Sequence, residues 1–148
     1  MPRAEPHRLA DYPHRQPITT RWMDNDAYGH VNNAVYYSYF DTVVNTWLIG
    51  QGLLDVGRSP VIGLVVETGC QYFAELGYPG TVMAALRVAH LGRTSVRYEI
   101  ALFAEGSDVA AAQGHFVHVY VDRDTRRPAE LPASMRATLE TLLPREPR

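Results

Sequence analysis

The sequence predicts an α+β fold in which a long helix near the N-terminus is buried against an antiparallel sheet that curls around it. Two patterns and one deduction carry that reading. Between residues 33 and 49, apolar pairs recur every four residues: Val35-Tyr36, Tyr39-Phe40, Val43-Val44 and Trp47-Leu48. Beyond residue 60 the apolar period drops to two, in runs separated by Gly-containing breaks. A wide apolar stripe needs a surface to cover it, and the sheet is the one candidate. At 148 residues the chain can bury a sizeable core as one domain.

In chain order, residues 1–16 read as a flexible or draped N-terminal extension, and 17–148 as a single domain. Residues 17–23, with β-branched and aromatic side chains, predict a strand. Asp24-Asn25-Asp26 ends it as a polar turn. The helix is expected over 33–49, with Asn32 as N-cap and Gly50 or Gly52 as its stop. A long strand region follows over 61–75, kinked near Gly69. Tyr78-Pro79-Gly80 is a turn. The next strand spans 81–91 and is broken by Gly92-Arg93. In 94–104, Val96, Tyr98, Ile100 and Leu102 share one face, and Ser95, Arg97 and Glu99 the other. Residues 105–108 form a hairpin loop, 109–121 a strand with Val117, Val119 and Val121 on one face, 128–132 a linker and 133–143 a short helix.

Composition narrows the function classes. Apolar residues make up 46% and charged residues 20%, and the formal net charge is −2. There is no broad basic field, so nucleic acid is not an expected partner. No run is apolar enough for a membrane span, and the polar, Pro- and His-containing start does not read as a signal peptide. The single cysteine, Cys70, allows no internal disulfide and fits a reducing cytoplasm. Its neighbours give no sign of thiolate activation, so it reads as a small core residue. His115 and His118, three apart on a strand, point to opposite faces, and no acid cluster joins them. No metal and no cofactor are expected.

The chemistry concentrates in Asp24-Asn25-Asp26-Ala27-Tyr28-Gly29-His30-Val31-Asn32-Asn33. An acid stands just before a helix start, where unpaired backbone N–H groups can hold a negative oxygen. An acid beside an oxyanion site is the minimum equipment for acyl-bond cleavage. Turn statistics alone favour a structural Asp26; its place before the helix points the other way.

This stretch, with Tyr36 or Tyr37 and Tyr39-Phe40 after it, resembles the hotdog-fold acyl-CoA thioesterases of the 4-hydroxybenzoyl-CoA thioesterase-like family. Leu91-Gly92-Arg93-Thr94-Ser95 is similar to a strand start of that family, and Val117 to Asp122 with Arg127-Pro128 to its closing strand. The resemblance covers roughly residues 17–132. It implies a hotdog fold, hydrolysis of acyl-CoA to free acid and CoA, and a homodimer or homotetramer with active sites between subunits. It places the catalytic carboxylate on Asp26 and the oxyanion donor on the backbone N–H of Asn33. Water activation and direct attack by Asp26 both stay open.

The remaining site residues divide between chemistry and structure. Asp24 reads as a structural acceptor, and Asn32 as a cap. His30 is a candidate general acid or ligand contact, or a packed turn residue that holds Asp26. Arg93, Thr94 and Ser95 are candidates for the phosphates of coenzyme A, since Arg matches phosphate geometry; a solvated strand edge accounts for them equally well. Tyr37, off the main stripe, could line an acyl tunnel. Three other functions fit the same pattern: a non-catalytic binder of acyl-CoA or acyl carrier, an enoyl hydratase on the same fold, and a structural dimerisation module. Acyl identity and carrier are not written in any motif.

Overall fold

The computed structural model describes residues 4–144. Its central element is helix α1, Val35–Gly50, of 16 residues and about 24 Å in length. Val35, Thr42, Val43, Val44 and Thr46 are poor helix formers, each costing up to about 0.7 kcal/mol against Ala. No side chain caps the first turn. Burial decides the outcome. Tyr36, Tyr39, Phe40, Val43, Val44, Trp47 and Leu48 are all buried, and a fully buried side chain of this size contributes about 1.5–3 kcal/mol.

Five antiparallel strands form the wrapping sheet: β1 (His14–Thr19), β2 (Val61–Tyr72), β3 (Thr81–Leu91), β4 (Ser95–Ala104) and β5 (Ala112–Asp122). Their order is β1-β3-β4-β5-β2. This is the long helix in a curved sheet that defines the hotdog arrangement. A second helix, α2 (Ala133–Glu140), buries Met135 and Leu139. Among the described residues no helix is long and apolar enough to cross a membrane.

Local departures from the sequence reading have physical causes. The first strand begins at His14, and Trp22–Asp24 is a 3-10 turn instead of the strand's end. Pro17 fits because β1 is an edge strand. Residues before it drape over the sheet's outer face: Tyr12 is buried against Ala85, Ala101, Phe103 and Ala110, and the Arg87 guanidinium lies 4.7 Å from the Tyr12 ring centre. The irregularity in β2 falls between Val65 and Glu67 and not near Gly69.

On β5 the helix-facing side carries Phe116, His118 and Tyr120, which are buried, while Val117 and Val119 are half-buried on the other side. Phe40 of α1 meets Phe116 edge to face, with ring centres 5.9 Å apart. His118 is 3% exposed, and neither ring nitrogen has a hydrogen-bond partner. Burial lowers its pKa from 6.5 to about 4. The unfolded chain then takes up this proton first, so stability is complete above pH 6.5 and declines as the pH falls toward about 4. The expected loss is on the order of 3 kcal/mol. Denaturant unfolding at several pH values should show this slope in the wild type, and His118→Leu should flatten it.

Candidate active site

The polar turn before α1 is built by its own side chains. Asp24 is 1% exposed. Its Oδ2 accepts bonds from the Arg21 amide at 2.8 Å and the Tyr39 hydroxyl at 2.6 Å, and its Oδ1 accepts from Arg21 Nε at 3.1 Å. Burial pushes the Asp24 carboxyl up, but the bonds from Tyr39 and Arg21 outweigh it and hold the group below its ordinary value. With every lone-pair direction occupied by structure, Asp24 anchors the turn to the helix.

Asp26 is held differently. Its Oδ1 accepts the Tyr28 amide at 2.8 Å, the bond of an Asx turn. The Asp26 amide donates to His30 O at 2.9 Å. Gly29, at φ +83°, supplies the left-handed residue that closes the loop. Oδ2 is left over. It lies 3.7 Å from His30 Nδ1, too long for a hydrogen bond and close enough for a protonated imidazole to attract it. His30 Nδ1 also lies 3.3 Å from Val31 O, Nε2 lies 3.9 Å from Glu75 Oε1, and the ring stacks against Tyr28.

Helical geometry starts at Val35, two residues later than the sequence suggested. Asn32 still tightens the approach: its Oδ1 accepts the Ala34 amide at 2.9 Å and its carbonyl accepts the Val35 amide at 2.9 Å. Asn33 sits in this lead-in turn. Its carbonyl accepts the Tyr72 hydroxyl at 3.0 Å, while its own N–H has no acceptor among the described residues. Val31 is pinned by a 2.8 Å bond from its amide to Leu76 O.

These pieces enclose an open cavity of about 490 Å³, lined by Asp26, His30, Asn33 and Tyr36 from the turn and helix, by Tyr72 at the end of β2 and by Glu75 from the segment after it. The structure therefore brings together the three residues singled out as catalytic candidates: Asp26, His30 and Asn33. It joins a carboxylate oxygen, an imidazole and an unused amide donor across one solvent-open space, a set suited to attack on a carbonyl.

Arg93, Thr94 and Ser95 are not brought to it. They form the β3–β4 turn, where the Gly92 amide bonds Ser95 O and the Tyr120 amide bonds Thr94 O. Ser95 lies seven residues along β4 from Leu102, whose register partner Ala112 is beside Tyr72; that is about 23 Å of strand. Arg93 is engaged with Glu130 at 2.6 Å on the surface. Tyr37 packs edge to face on Phe40, and its side chain also interacts with Tyr72 of the cavity wall. Burial raises the Cys70 thiol to about 11, an inert side chain. His115 pairs with Glu67 on the outer face at 3.0 Å while His118 lies inside, and no metal-holding group of three or more His, Cys, Asp or Glu occurs among the described residues.

Tyr36, Tyr72 and Glu75 escaped the sequence reading as site residues. Tyr36 was read as core, and it is both buried and part of the wall. Tyr72 and Glu75 arrive through the pairing of β2 with β5, and no local spacing signals that.

The family model of the Thioesterase-like superfamily matches residues 20–139. Among solved structures, the PA5185 protein from Pseudomonas aeruginosa strain PAO1 is 51% identical at a TM-score of 0.91, covering 94% of this chain and 97% of that one. The PA2801 protein from Pseudomonas aeruginosa, provisionally named a thioesterase, is 29% identical at a TM-score of 0.80, with 86% and 98% covered. The BH1999 gentisyl-coenzyme A thioesterase shares the fold at 22% identity and a TM-score of 0.76, over 85% and 99%. No curated protein matches the chain.

Proposed function

We propose, since this chain belongs to the thioesterase-like superfamily, that it hydrolyses acyl-CoA thioesters to the free acid and CoA. The observation that carries the reading is the pairing of an uncommitted carboxylate oxygen, Asp26 Oδ2, with an uncommitted amide donor, Asn33 N–H, on one cavity. A thioester carbonyl oxygen accepts the Asn33 N–H. The helix-start dipole, equivalent to roughly half a positive charge, supports the oxyanion that forms. Asp26 Oδ2 either takes the proton of the attacking water, or adds to the carbonyl and expels CoA thiolate, leaving a mixed anhydride that water then opens to the free acid and Asp26; ¹⁸O from labelled water entering Asp26 under single turnover identifies the second route with water attacking the Asp26 carbonyl. In this reading His30, which lines the same cavity, gives a proton to the leaving thiolate.

The test is thiol release from a panel of short, long, branched and aromatic CoA esters. Turnover of at least one member is the expected result. Saturable acyl-CoA binding without thiol release makes the protein a binder, and loss of enoyl absorbance from crotonyl-CoA makes it a hydratase; either overturns the reading.

The working unit in this reading is a homodimer paired through β2. That strand is a sheet edge and exposes Leu64, Val65 and Val66, the last at 60%. A long apolar edge attracts another strand. Antiparallel pairing about a two-fold axis sets the Val61 end of one β2 beside the Tyr72 end of the other. It moves the turn of Arg93, Thr94 and Ser95 of the partner subunit to the same end of the joined sheet as Asp26, where these residues would meet the CoA phosphates. Val66→Lys should turn the dimer into a monomer in sedimentation analysis and lower kcat/KM at least tenfold. A fully active monomer would remove the partner from the mechanism.

A further inference from the structure

A second chamber lies at the other end of the interior. It measures about 60 Å³ and is walled by the aliphatic side chains of Leu48, Leu54, Val61 and Met135, with Asn45, His118 and Tyr120 as its polar groups. It belongs to the Val61 end of β2, whereas the Asp26 cavity belongs to the Tyr72 end.

The polar side of this chamber is incompletely bonded. His118 is 3% exposed, and neither Nδ1 nor Nε2 has a partner. A neutral imidazole needs one acceptor and one donor. Tyr98 and Tyr120 share a single 2.7 Å bond between their hydroxyls, so one of the two O–H hydrogens is also left over. Each unmet buried group costs about 1–3 kcal/mol. His118 and Tyr120 both line the hollow, and the spare hydrogen is Tyr120's when Tyr98 donates the shared bond.

Gly63 makes the hollow possible. It lies opposite Tyr120 in the register, and a Cβ there would come within 2.8 Å of His118 Nδ1 and 3.1 Å of Tyr120 Cζ. Any side chain at this position would crowd both rings at the wall of the chamber.

We propose that this chamber binds the hydroxyl-bearing end of an aliphatic chain. A hydroxyl is both donor and acceptor, so it gives its hydrogen to the free ring nitrogen and accepts the spare tyrosine O–H. No cationic or anionic side chain is among the lining residues, which disfavours a charged end group. The volume is well under the ~150 Å³ of a cavity that takes benzene, which favours a chain tip over a ring.

The test uses the full chain with ¹⁵N-labelled histidine, titrated with 1-hexanol and with its isomer 1-methoxypentane, which accepts but cannot donate. The alcohol should shift a His118 ring nitrogen saturably, and the ether should bind about tenfold more weakly, the worth of one net hydrogen bond. In His118→Leu the alcohol, followed at the Met135 methyl, should lose its advantage over the ether. Gly63→Ala carries the same expectation if His118→Leu does not fold. Asp26→Asn protein should titrate like wild type, which keeps this result separate from the fate of the hydrolysis reading. No saturable shift, or equal binding of alcohol and ether, overturns the proposal.

Discussion

Asp26→Asn should lower kcat for acyl-CoA hydrolysis by roughly a thousandfold, within the range that general acid–base groups supply, while thermal unfolding and KM stay close to wild type. The structural reason for expecting an intact fold is specific. Asp26 contributes to the turn through Oδ1, which accepts the Tyr28 amide at 2.8 Å, and through its backbone bond to His30 O. An asparagine keeps the same Oδ1 acceptor and the same backbone. What it loses is the charge and basicity of the second oxygen, the one the turn does not bond. Asp24 is the contrasting acid two residues away. Its carboxylate is consumed by Arg21 and by the Tyr39 hydroxyl at 2.6 Å, so Asp24→Asn should appear first as lost stability, because a buried bonded network loses its charge-assisted acceptor. The two isosteric changes thus separate by readout, rate for one and melting for the other. Near-wild-type rates in Asp26→Asn would remove that residue from catalysis.

The parts of this protein that sequence makes legible are those whose physics is local. The stripe of α1 repeats within four residues, so Tyr36, Tyr39, Phe40, Val43, Val44, Trp47 and Leu48 could be placed on one face before any tertiary contact was known. The turn from Asp24 to Asn33 is contiguous, and its acid, glycine and asparagines define their geometry among themselves. What stayed hidden depends on register. Glu75 and Tyr72 reach the cavity only because β2 ends where α1 begins. On β5 the alternation was visible, but Val117 and Val119 drew attention to the face that carries less burial; Phe116 and Tyr120 point inward because Phe40 and Tyr98 meet them there, Tyr98 as the register partner of Phe116 and through its hydroxyl bond to Tyr120. A buried histidine with no partner has no sequence signature at all.

Gly114 is another residue whose role only packing reveals. It lies on the inner face of β5, paired with Ile100 on one side and Cys70 on the other. A Cβ at this position would collide with the carbonyl oxygen of Gly69 and stand 2.6 Å from Phe40 Cε2 and 3.0 Å from Cζ. Neither neighbour yields cheaply. Phe40 is wholly buried and wedged against Phe116 and Tyr37. The Gly69 carbonyl belongs to the backbone of β2. Gly114→Ala must therefore drive Phe40 off its rotamer or part β2 from β5. Overpacking alone costs about 1–3 kcal/mol, and the backbone collision places the expected loss at or above the top of that range. The melting temperature should then fall by roughly 6–12 °C for a chain of this size. Gly50→Ala, where the added carbon meets nothing within 4 Å, is the control and should leave melting nearly unchanged. Phe40→Leu should soften the effect of Gly114→Ala, because part of the collision is with the ring; the double variant should be more stable than the sum of the two losses allows. If Gly114→Ala melts with wild type, the seating of α1 on β5 described above is wrong.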